Sequence, residues 1–458
     1  MEISQTEKRV GLNLTEGSIL RTLILFSVPL VLTELVQQLY SVVDLMVIGK
    51  FAGSSGTVGV SIGGEVADLL TPVAMALSGA GQVYIAQLAG AREERRMRET
   101  IGTLLTIMLA ASLFFSGAAW LFCDPILRIL NCPEEAFSQA KVYLLTTTVG
   151  FPFIFGYNAV CAVLRGMGES RRPLIFISIA ASVNIVMDIL LVAVIPLGAM
   201  GTAIATVLAQ AGSCSAALFF LYKRREQFGF ALKRSYFRIH REPLRILLTL
   251  GIPKLIQSVC IRFSLLWCSS HINSYGITAS AANSIGNKLQ KMITVFSNAV
   301  TTASGAMIGQ NAGARRPDRV KKIVWTTFAW SCAVATAGSL LGLTMPKALY
   351  GLFTDEAAVM ELGVVYLRIT VITFYLAACL GTFQSLINGI GFAAFNFLIG
   401  ILDGVVCRIG FSVLFVYGLG MEVTGFFLGN AMARSIPVVI CFAYFISGKW
   451  INRKLLVD

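Results

Sequence analysis

Long apolar stretches alternate with short polar segments along almost the whole chain. Twelve of them are long enough for an α-helix to cross roughly 30 Å of hydrocarbon. They cover residues 20–48, 57–88, 99–123, 139–163, 173–196, 200–222, 244–271, 280–309, 319–345, 357–387, 394–417 and 420–447. They lack the strict alternation of apolar and polar residues that marks a membrane β-barrel. The pattern therefore predicts an all-α membrane protein with twelve transmembrane helices.

The composition agrees with this class of protein. Of the 458 residues, 56% are hydrophobic and 13% are charged, and the mean hydropathy is +0.76. Soluble domains carry about 25% charged residues. The chain therefore has too few charges for a water-exposed surface of its size, and its natural surroundings are the lipid bilayer.

The ten cysteines do not indicate a disulfide framework. Eight of them lie inside predicted spans, where a free thiol behaves as a small apolar residue. Cys123 and Cys132 flank a loop on the predicted outer side, and either a disulfide or two free thiols fits them.

The positions of the basic residues explain the net charge of +13. Lysine and arginine lie almost entirely in alternate connections, on one predicted side of the membrane. The largest set runs from Lys223 to Arg245, and another runs from Arg315 to Lys322. Because basic loops stay cytoplasmic, we expect both termini and the linker 223–243 on that side. This topology accounts for the charge without nucleic acid, and we expect no nucleic-acid partner.

The two halves of the chain repeat each other. IAQLAGAR ends at Arg92 and MIGQNAGAR ends at Arg315, a shift of 223 residues that also aligns LRGMG with INGIG. We therefore predict an N-terminal lobe at residues 1–222 and a C-terminal lobe at residues 244–458, with six spans each. Pseudo-symmetric repeats of this kind are common in secondary transporters, where the substrate site lies between the repeats.

Polar side chains inside the first lobe form a patterned set. In span 1, Glu34, Gln37 and Asp44 share one helix face, because their spacings are close to whole turns. In span 5, Asn184 and Asp188 lie one turn apart. The corresponding polar residues of span 6 are Thr202, Thr206 and Gln210.

These side chains suit the transport of a small cation. An unpaired carboxylate is costly in hydrocarbon, so the acids should face a cavity or one another. Asn184 and Asp188 offer oxygen ligands to one cation, and removal from water also favours the protonated form of an aspartate. The alternative is that Asp188 only pairs with a buried base or hydroxyl group.

The buried charges of the second lobe are mostly positive. Arg262, Lys288, Lys291 and Arg408 lie inside its predicted spans, and Asp403 is the acid among them. This difference between the lobes favours ion coupling through the first lobe.

The stretch PLVLTELVQQLYSVVDLMVIG, at residues 29–49, resembles the first helix of multidrug and toxic compound extrusion (MATE) transporters. The likeness continues in SGAGQVYIAQLAGAR, LRGMGESRRP, GAMGTAIAT and MIGQNAGARRPDRV, in the family's order. The lack of an acid in the middle of spans 7 and 10 is similar to the DinF-like branch. The resemblance implies two six-helix lobes around a central cavity, and export coupled to inward movement of H+ or Na+.

The resemblance also implies roles for individual residues. It places the coupling cation, either H+ or Na+, at Asp44, Asn184, Asp188 and Thr206, with Na+ expected at the first three. Pro29 would be the hinge of span 1, since a missing backbone hydrogen bond permits a bend. The predicted substrate cavity comprises Glu34, Gln37, Tyr40, Tyr143, Asn158, Thr202, Gln210, Arg262 and Lys291.

The resemblance also implies an activity, a location and partners for the protein. We expect a monomeric antiporter in the cell (inner) membrane of a prokaryote, exporting drugs or other amphipathic organic compounds. Its partners would be these small organic substrates and the lipid bilayer, with no cofactor besides the coupling ion.

Other functional classes fit the sequence less well. A flippase or exporter of a lipid-linked or anionic precursor, from the same wider superfamily, is the alternative, since Arg262, Lys288 and Lys291 would hold a pyrophosphate. An enzyme is disfavoured, because His240 and His271 are too few for a histidine-based metal cluster. GAGQVY and GMGESR lack the remaining residues of a nucleotide-binding loop. A channel is disfavoured because no filter segment is visible.

Overall fold

The computed structural model describes residues 11–51, 53–130, 132–225 and 237–458. Every regular element in these ranges is helical. The α-helices are α1 (Ile19–Phe51), α2 (Gly53–Ala91), α3 (Glu94–Leu121), α4 (Cys123–Ile129), α5 (Glu134–Val149), α6 (Phe151–Gly166), α7 (Arg171–Asp188), α8 (Gly198–Lys223), α9 (Arg241–Asn273), α10 (Ile277–Gly313), α11 (Pro317–Thr344), α12 (Pro346–Gly351), α13 (Ala357–Gly389), α14 (Ala393–Ile401), α15 (Cys407–Val413), α16 (Glu422–Met432) and α17 (Ser435–Ile446). Most of the predicted linker, residues 226–236, lies outside the described residues.

Ten of the described helices are long and apolar enough to span a membrane. The number rises to eleven if α5 and α6, which meet at a 44° bend, count as one broken span. Helix α10 covers the remaining predicted span and has 37 residues, but Lys288, Lys291 and many hydroxyl and amide side chains make it more polar. The prediction of an all-α membrane protein is confirmed.

Three short π-helical segments interrupt the spans of α7 and of α14–α15. They are Ile189–Val194, Leu402–Val406 and Leu414–Gly418. The first follows Asp188 directly, and the second contains Asp403. A π turn changes the direction of the side chains around it and is frequent at functional sites. In each half of the chain, such a segment therefore lies beside a buried aspartate.

Contacts between Cα atoms divide the chain into two units. The first unit contains Val28–Gly251 and the described residues before Leu14, and the second contains Leu14–Ser27 and Ile252–Asp458. Unlike the predicted lobes, 1–222 and 244–458, these units exchange the first parts of α1 and α9. Each of the two helices passes from one unit into the other immediately before a proline, Pro29 or Pro253.

In the second unit, the segment before α1 is held by the end of α10 and the start of α11. The Asn311 side chain donates to the Leu14 carbonyl at 2.9 Å, and Leu14 is fully buried. Arg319 donates to the carbonyl oxygens of Glu16 and Gly17, at 2.7 and 2.9 Å. The start of α1 is therefore fixed to the second unit through its backbone.

The segment before α9 has the matching arrangement in the first unit. The backbone N–H of His240 donates to Thr103 Oγ1 of α3 at 3.1 Å. Arg96, also on α3, forms an ion pair with Glu242 at the start of α9. Arg96 and Arg319 are equivalent in the sequence repeat. Equivalent arginines therefore fix the segment before α1, through backbone carbonyls, and the start of α9, through an ion pair.

Both cysteines of the predicted outer loop are free thiols. Cys123 is buried and Cys132 is half-buried. Burial raises the pKa of both thiols above their usual value, so they remain protonated and poorly reactive at neutral pH.

Glycine permits a close backbone contact between α15 and α16 in the second unit. A Cβ atom at Gly429 of α16 would lie 2.6 Å from the backbone N and Cα of Ser412 in α15. Backbone atoms cannot move aside as a flexible side chain can, so α15 and α16 pack this closely only without that methyl group.

We therefore expect Gly429→Ala to lower the melting temperature of the purified protein in detergent, at a cost of about 1–3 kcal/mol from overpacking. Gly410→Ala is the matched control. Gly410 lies in α15 with open space around it, and alanine there favours the helix by up to about 1 kcal/mol. Equal melting temperatures for the two variants would contradict the close contact.

Candidate functional site

Two polar side chains of α7 lie deep inside the first unit. Asn184 and Asp188 are one helical turn apart and are only 2% and 1% exposed. Helix α7 ends at Asp188, where the π segment begins. The change of helix type therefore occurs at the carboxylate itself.

Six buried polar atoms in this part of the first unit have no hydrogen-bond partner among the described residues. They are Asp44 Oδ1, Asn184 Oδ1 and Nδ2, Asp188 Oδ1 and Oδ2, and Thr202 Oγ1. Folded proteins satisfy the large majority of their buried polar atoms, so each exception needs an explanation. Six exceptions on four neighbouring side chains indicate a binding site.

The two acids of this set approach each other from different helices. The carboxyl groups of Asp44 on α1 and Asp188 on α7 are close enough to interact electrostatically, although neither oxygen of Asp188 has a hydrogen-bond partner among the described residues. Ionised carboxylates are acceptors only and repel at this distance. A proton shared by the pair, or a cation bound between its members, removes that repulsion.

Apolar packing brings α1 and α8 together beside these acids. Ile48, one turn beyond Asp44, packs in a buried cluster with Ala199 and Ala203 of α8, which flank Thr202. Tyr143 of α5 belongs to the same cluster and is 7% exposed. The cluster therefore joins α1, one turn beyond Asp44, to the part of α8 that carries Thr202.

The other residues predicted in the first lobe have different surroundings. Thr206 is one turn from Thr202 on α8 and is half-buried, as is Gln210. The Asn158 amide donates to the carbonyl of Ile154 in its own helix, at 2.9 Å. The predicted cavity residues of α1 are all half-buried: Glu34, Gln37 and Tyr40. Pro29 lies inside α1, where Thr33 Oγ1 donates to its carbonyl at 2.8 Å.

Arg262 and Lys291 belong to the second unit, on α9 and α10. Both side chains are exposed. Their assignment to a substrate cavity stays a prediction.

The buried acid of the second unit is already neutralised by fixed positive groups. Asp403 and Arg408 are each 3% exposed, and their side chains form an ion pair at 3.1 Å. Arg434 Nε lies 3.8 Å from the same carboxylate oxygen, and Arg408 also donates to Asn430. The sequence pointed to Asp403 and Arg408 but missed Asn430 and Arg434, although both are polar residues inside an apolar span.

The model of the MatE family matches residues 29–190 and 253–414, which are more than half of the chain. The chain belongs to the MatE family. Its proteins are membrane transporters rather than enzymes, as the sequence predicted.

Relatives extend this likeness over nearly the full length. "Probable multidrug resistance protein YpnP" of Bacillus subtilis is 26% identical over 448 residues, which are 97% of this chain and 98% of that protein. "Multidrug export protein MepA" of Staphylococcus aureus is 21% identical over 422 residues, 92% of each chain.

Solved structures share the fold. A MOP superfamily transporter from Pyrococcus furiosus is 19% identical, with a TM-score of 0.88 over 96% of this chain and 98% of that chain. A MATE in the bent conformation is 18% identical, with a TM-score of 0.89 over 95% and 96% of the two chains. This likeness confirms the predicted fold class, twelve transmembrane helices in two pseudo-symmetric six-helix lobes.

The two matched segments of this MatE protein show which half carries the polar site. They begin at Pro29 and Pro253 and end at residues 190 and 414, a shift of 224 residues at both ends. At this shift, the polar residues Asp44, Asn184, Asp188, Thr202 and Thr206 of the first half correspond to Cys268, Arg408, Ser412, Phe426 and Asn430. The second half therefore has neither of the two acids, and an arginine takes the place of Asn184.

The contrast between the two buried acids predicts opposite effects on stability. Asp403→Asn removes the carboxylate that two arginines share, and we expect a loss of about 3–5 kcal/mol. Asp188→Asn removes one of two neighbouring carboxylates that have no fixed partner, so the melting temperature should stay equal or rise. Thermal unfolding of both purified variants at neutral pH and low sodium measures this. A larger loss for Asp188→Asn would contradict the description of its carboxylate as unpaired.

Proposed function

We propose that this MatE protein is a cation-coupled antiporter that exports drugs or other amphipathic organic compounds, using H+ or Na+. The observation that carries the proposal is the group of six unpartnered polar atoms on Asp44, Asn184, Asp188 and Thr202. Carboxylate, amide and hydroxyl oxygens are hard ligands, which suit Na+, and the close carboxylates also suit a shared proton. The likeness to YpnP, a probable multidrug resistance protein, and to MepA, a multidrug export protein, supports organic substrates.

The bound cation changes the relation between α1 and α7. Without a cation, the carboxylates of Asp44 and Asp188 repel each other and α1 is held less tightly. With one, both carboxylates turn to a common ligand and draw the outer part of α1 towards α7. A ligand shifts a conformational equilibrium only by binding its two states differently, and this pair supplies such a difference.

Helix α1 transmits that change because it belongs to both units. Its first part, before Pro29, is fixed in the second unit by Asn311 and Arg319. Its later part carries Asp44 in the first unit. Ion binding at Asp44 therefore acts on a helix whose other end is anchored elsewhere, and the proline allows a bend between the two parts.

The transport cycle that we propose is alternating access, by rocking of residues 1–222 against residues 244–458. The cation enters from outside when the first lobe is open there, and its release inside accompanies the reset for the next substrate. One positive charge moving inward across 100 mV releases about 2.3 kcal/mol. That energy supports more than a tenfold gradient of exported substrate with one ion per cycle.

The proposal also covers the orientation of the chain in the membrane and its oligomeric state. From the basic connections we infer that both termini and the linker face the cytoplasm of a prokaryotic cell, with the chain in its inner or only membrane. All four residues of the proposed ion site lie in one unit of one chain, so a monomer is sufficient for coupling.

Asp188→Asn should abolish gradient-driven dye efflux in proteoliposomes. Asparagine keeps the shape of the side chain but cannot exchange a proton or carry the negative charge that attracts Na+. Asp124→Asn is the matched control, because Asp124 forms an ion pair with Lys141 in which both side chains are more than 40% exposed. We expect the control to transport at the normal rate. Normal efflux by Asp188→Asn would refute the site.

The same vesicles separate the two candidate ions. Efflux is measured with a pH gradient alone and then with a sodium gradient alone, at fixed membrane potential. An antiporter of the proposed kind responds to at least one of the gradients, and the response identifies the ion. An efflux rate that is independent of both gradients would contradict cation coupling.

Pro29→Ala should slow efflux severalfold while the concentration of coupling ion that gives half-maximal rate stays the same. Alanine restores the missing backbone donor and stiffens α1 at the boundary between the units. Pro72→Ala is the control, because Pro72 also lies inside a long helix, α2, but away from that boundary. If the two variants slow efflux equally, the bend at Pro29 has no special role.

A further inference from the structure

An aromatic cavity lies in the second unit, where α9 ends and the π segment Leu414–Gly418 leads into α16. Its volume is about 110 Å³, and it is lined by His271, Ser274, Tyr275, Tyr417 and Phe426. The predicted topology places this end of the helices on the outer side of the membrane. The cavity belongs to the second unit alone, so it is separate from the ion site at Asp188.

Packing between the rings fixes the inner wall of the cavity. Phe426 is 1% exposed, and its ring centroid lies 5.7 Å from that of His271 and 6.2 Å from that of Tyr275. Trp267 supports the imidazole from the preceding turn of α9, at 4.2 Å between centroids. Tyr417 is 67% exposed and forms part of the open side. The cavity therefore has a rigid aromatic floor and an accessible mouth.

The sequence repeat shows that these rings are particular to the second half. The backbone bonds at Gly201 and Gly425 match at a shift of 224 residues, so Phe426 corresponds to Thr202 and Glu422 corresponds to Gly198. The second half has an aromatic ring and an acid on the same helix face, where the first half has a hydroxyl group and a glycine.

The charges around the cavity favour a cation. No lysine or arginine is among the five lining residues. Glu422 lies one turn before Phe426, on the same face of α16, and its side chain is exposed. Its backbone has φ +48°, a left-handed conformation that non-glycine residues seldom adopt. The faces of aromatic rings attract cations as well, through their quadrupoles.

We propose that this cavity binds the head group of a quaternary ammonium or similar organic cation. Aromatic cages are a common means of holding such ions, whose charge is spread over methyl groups and needs no hydrogen bonds. The volume is smaller than the roughly 150 Å³ of a cavity that accommodates benzene. The cavity thus takes a head group, and the remainder of an amphipathic ligand extends through the mouth.

The test compares choline with 3,3-dimethylbutan-1-ol, which has the same shape but a neutral carbon in place of nitrogen. Binding to the purified full chain in nanodiscs is measured by saturation-transfer NMR and titration. We expect choline to bind about tenfold more tightly than the alcohol. Equal affinities would show a merely apolar cavity, and no choline binding at millimolar concentrations would show no site. Either result would overturn the proposal.

Variants locate the binding within the molecule. Tyr417→Leu should weaken choline binding severalfold and remove most of its advantage over the alcohol, whereas Tyr417→Phe keeps the ring and should retain both. The exposure of Tyr417 means that neither change should disturb folding, and the melting temperature checks this. Choline binding that is unchanged in Tyr417→Leu would place the cation elsewhere and contradict the proposal.

A separate variant tests the role of the Glu422 carboxylate in choline binding. Glu422→Gln should weaken choline binding a few-fold, more at low salt than at high salt, because the attraction is screened by ions. An unchanged affinity would contradict the assigned role of this carboxylate. These measurements need no ion gradient, so their failure is distinct from failure of the proposed antiport.

Discussion

Two neighbouring carboxylates without a fixed positive partner among the described residues are the interaction on which the proposed mechanism depends. Asp44 and Asp188 are close enough to interact electrostatically, and Asn184 and Thr202 also have side-chain atoms without a partner in the described part of the chain. A structural ion pair would satisfy such groups permanently, and Asp403 with its two arginines is an example in the same chain. The acids of the first unit instead need a ligand that binds reversibly, such as H+ or Na+. Reversible binding of this kind is what a coupling site in a transporter needs.

Ion binding at Asp44 has a mechanical consequence, because α1 has a part in each unit. The helix begins in one unit, held by backbone contacts from Asn311 and Arg319, and continues into the other immediately before Pro29. Helix α9 makes the opposite passage before Pro253, with Arg96 in the position that Arg319 occupies in the repeat. Because only α1 carries an unpartnered acid, the two related helices are equivalent in path but unequal in chemistry.

Duplication followed by divergence explains this inequality in physical terms. Both halves retain the helices, the prolines and the arginines that build the framework. The second half has Cys268 and Ser412 at the positions of the two first-half acids and Arg408 at the position of Asn184, and Arg408 pairs with Asp403. At the outer end of the second unit, Phe426 and Glu422 occupy the positions of Thr202 and Gly198. The two halves thus offer different binding chemistry on one fold.

The sequence by itself determined the all-α class, the repeat and the candidate acids, because helix length, charge asymmetry and polar residues in apolar spans are local properties of the chain. It did not determine that α1 and α9 change unit, since this depends on contacts between residues far apart in sequence. It also could not show that Thr202 is the buried hydroxyl without a partner while Thr206 is half-buried, because both residues follow the same helical period. Whether a buried acid is paired, as Asp403 is, or left open, as Asp188 is, was decided only by the tertiary structure, because pairing depends on the distance between side chains that packing brings together.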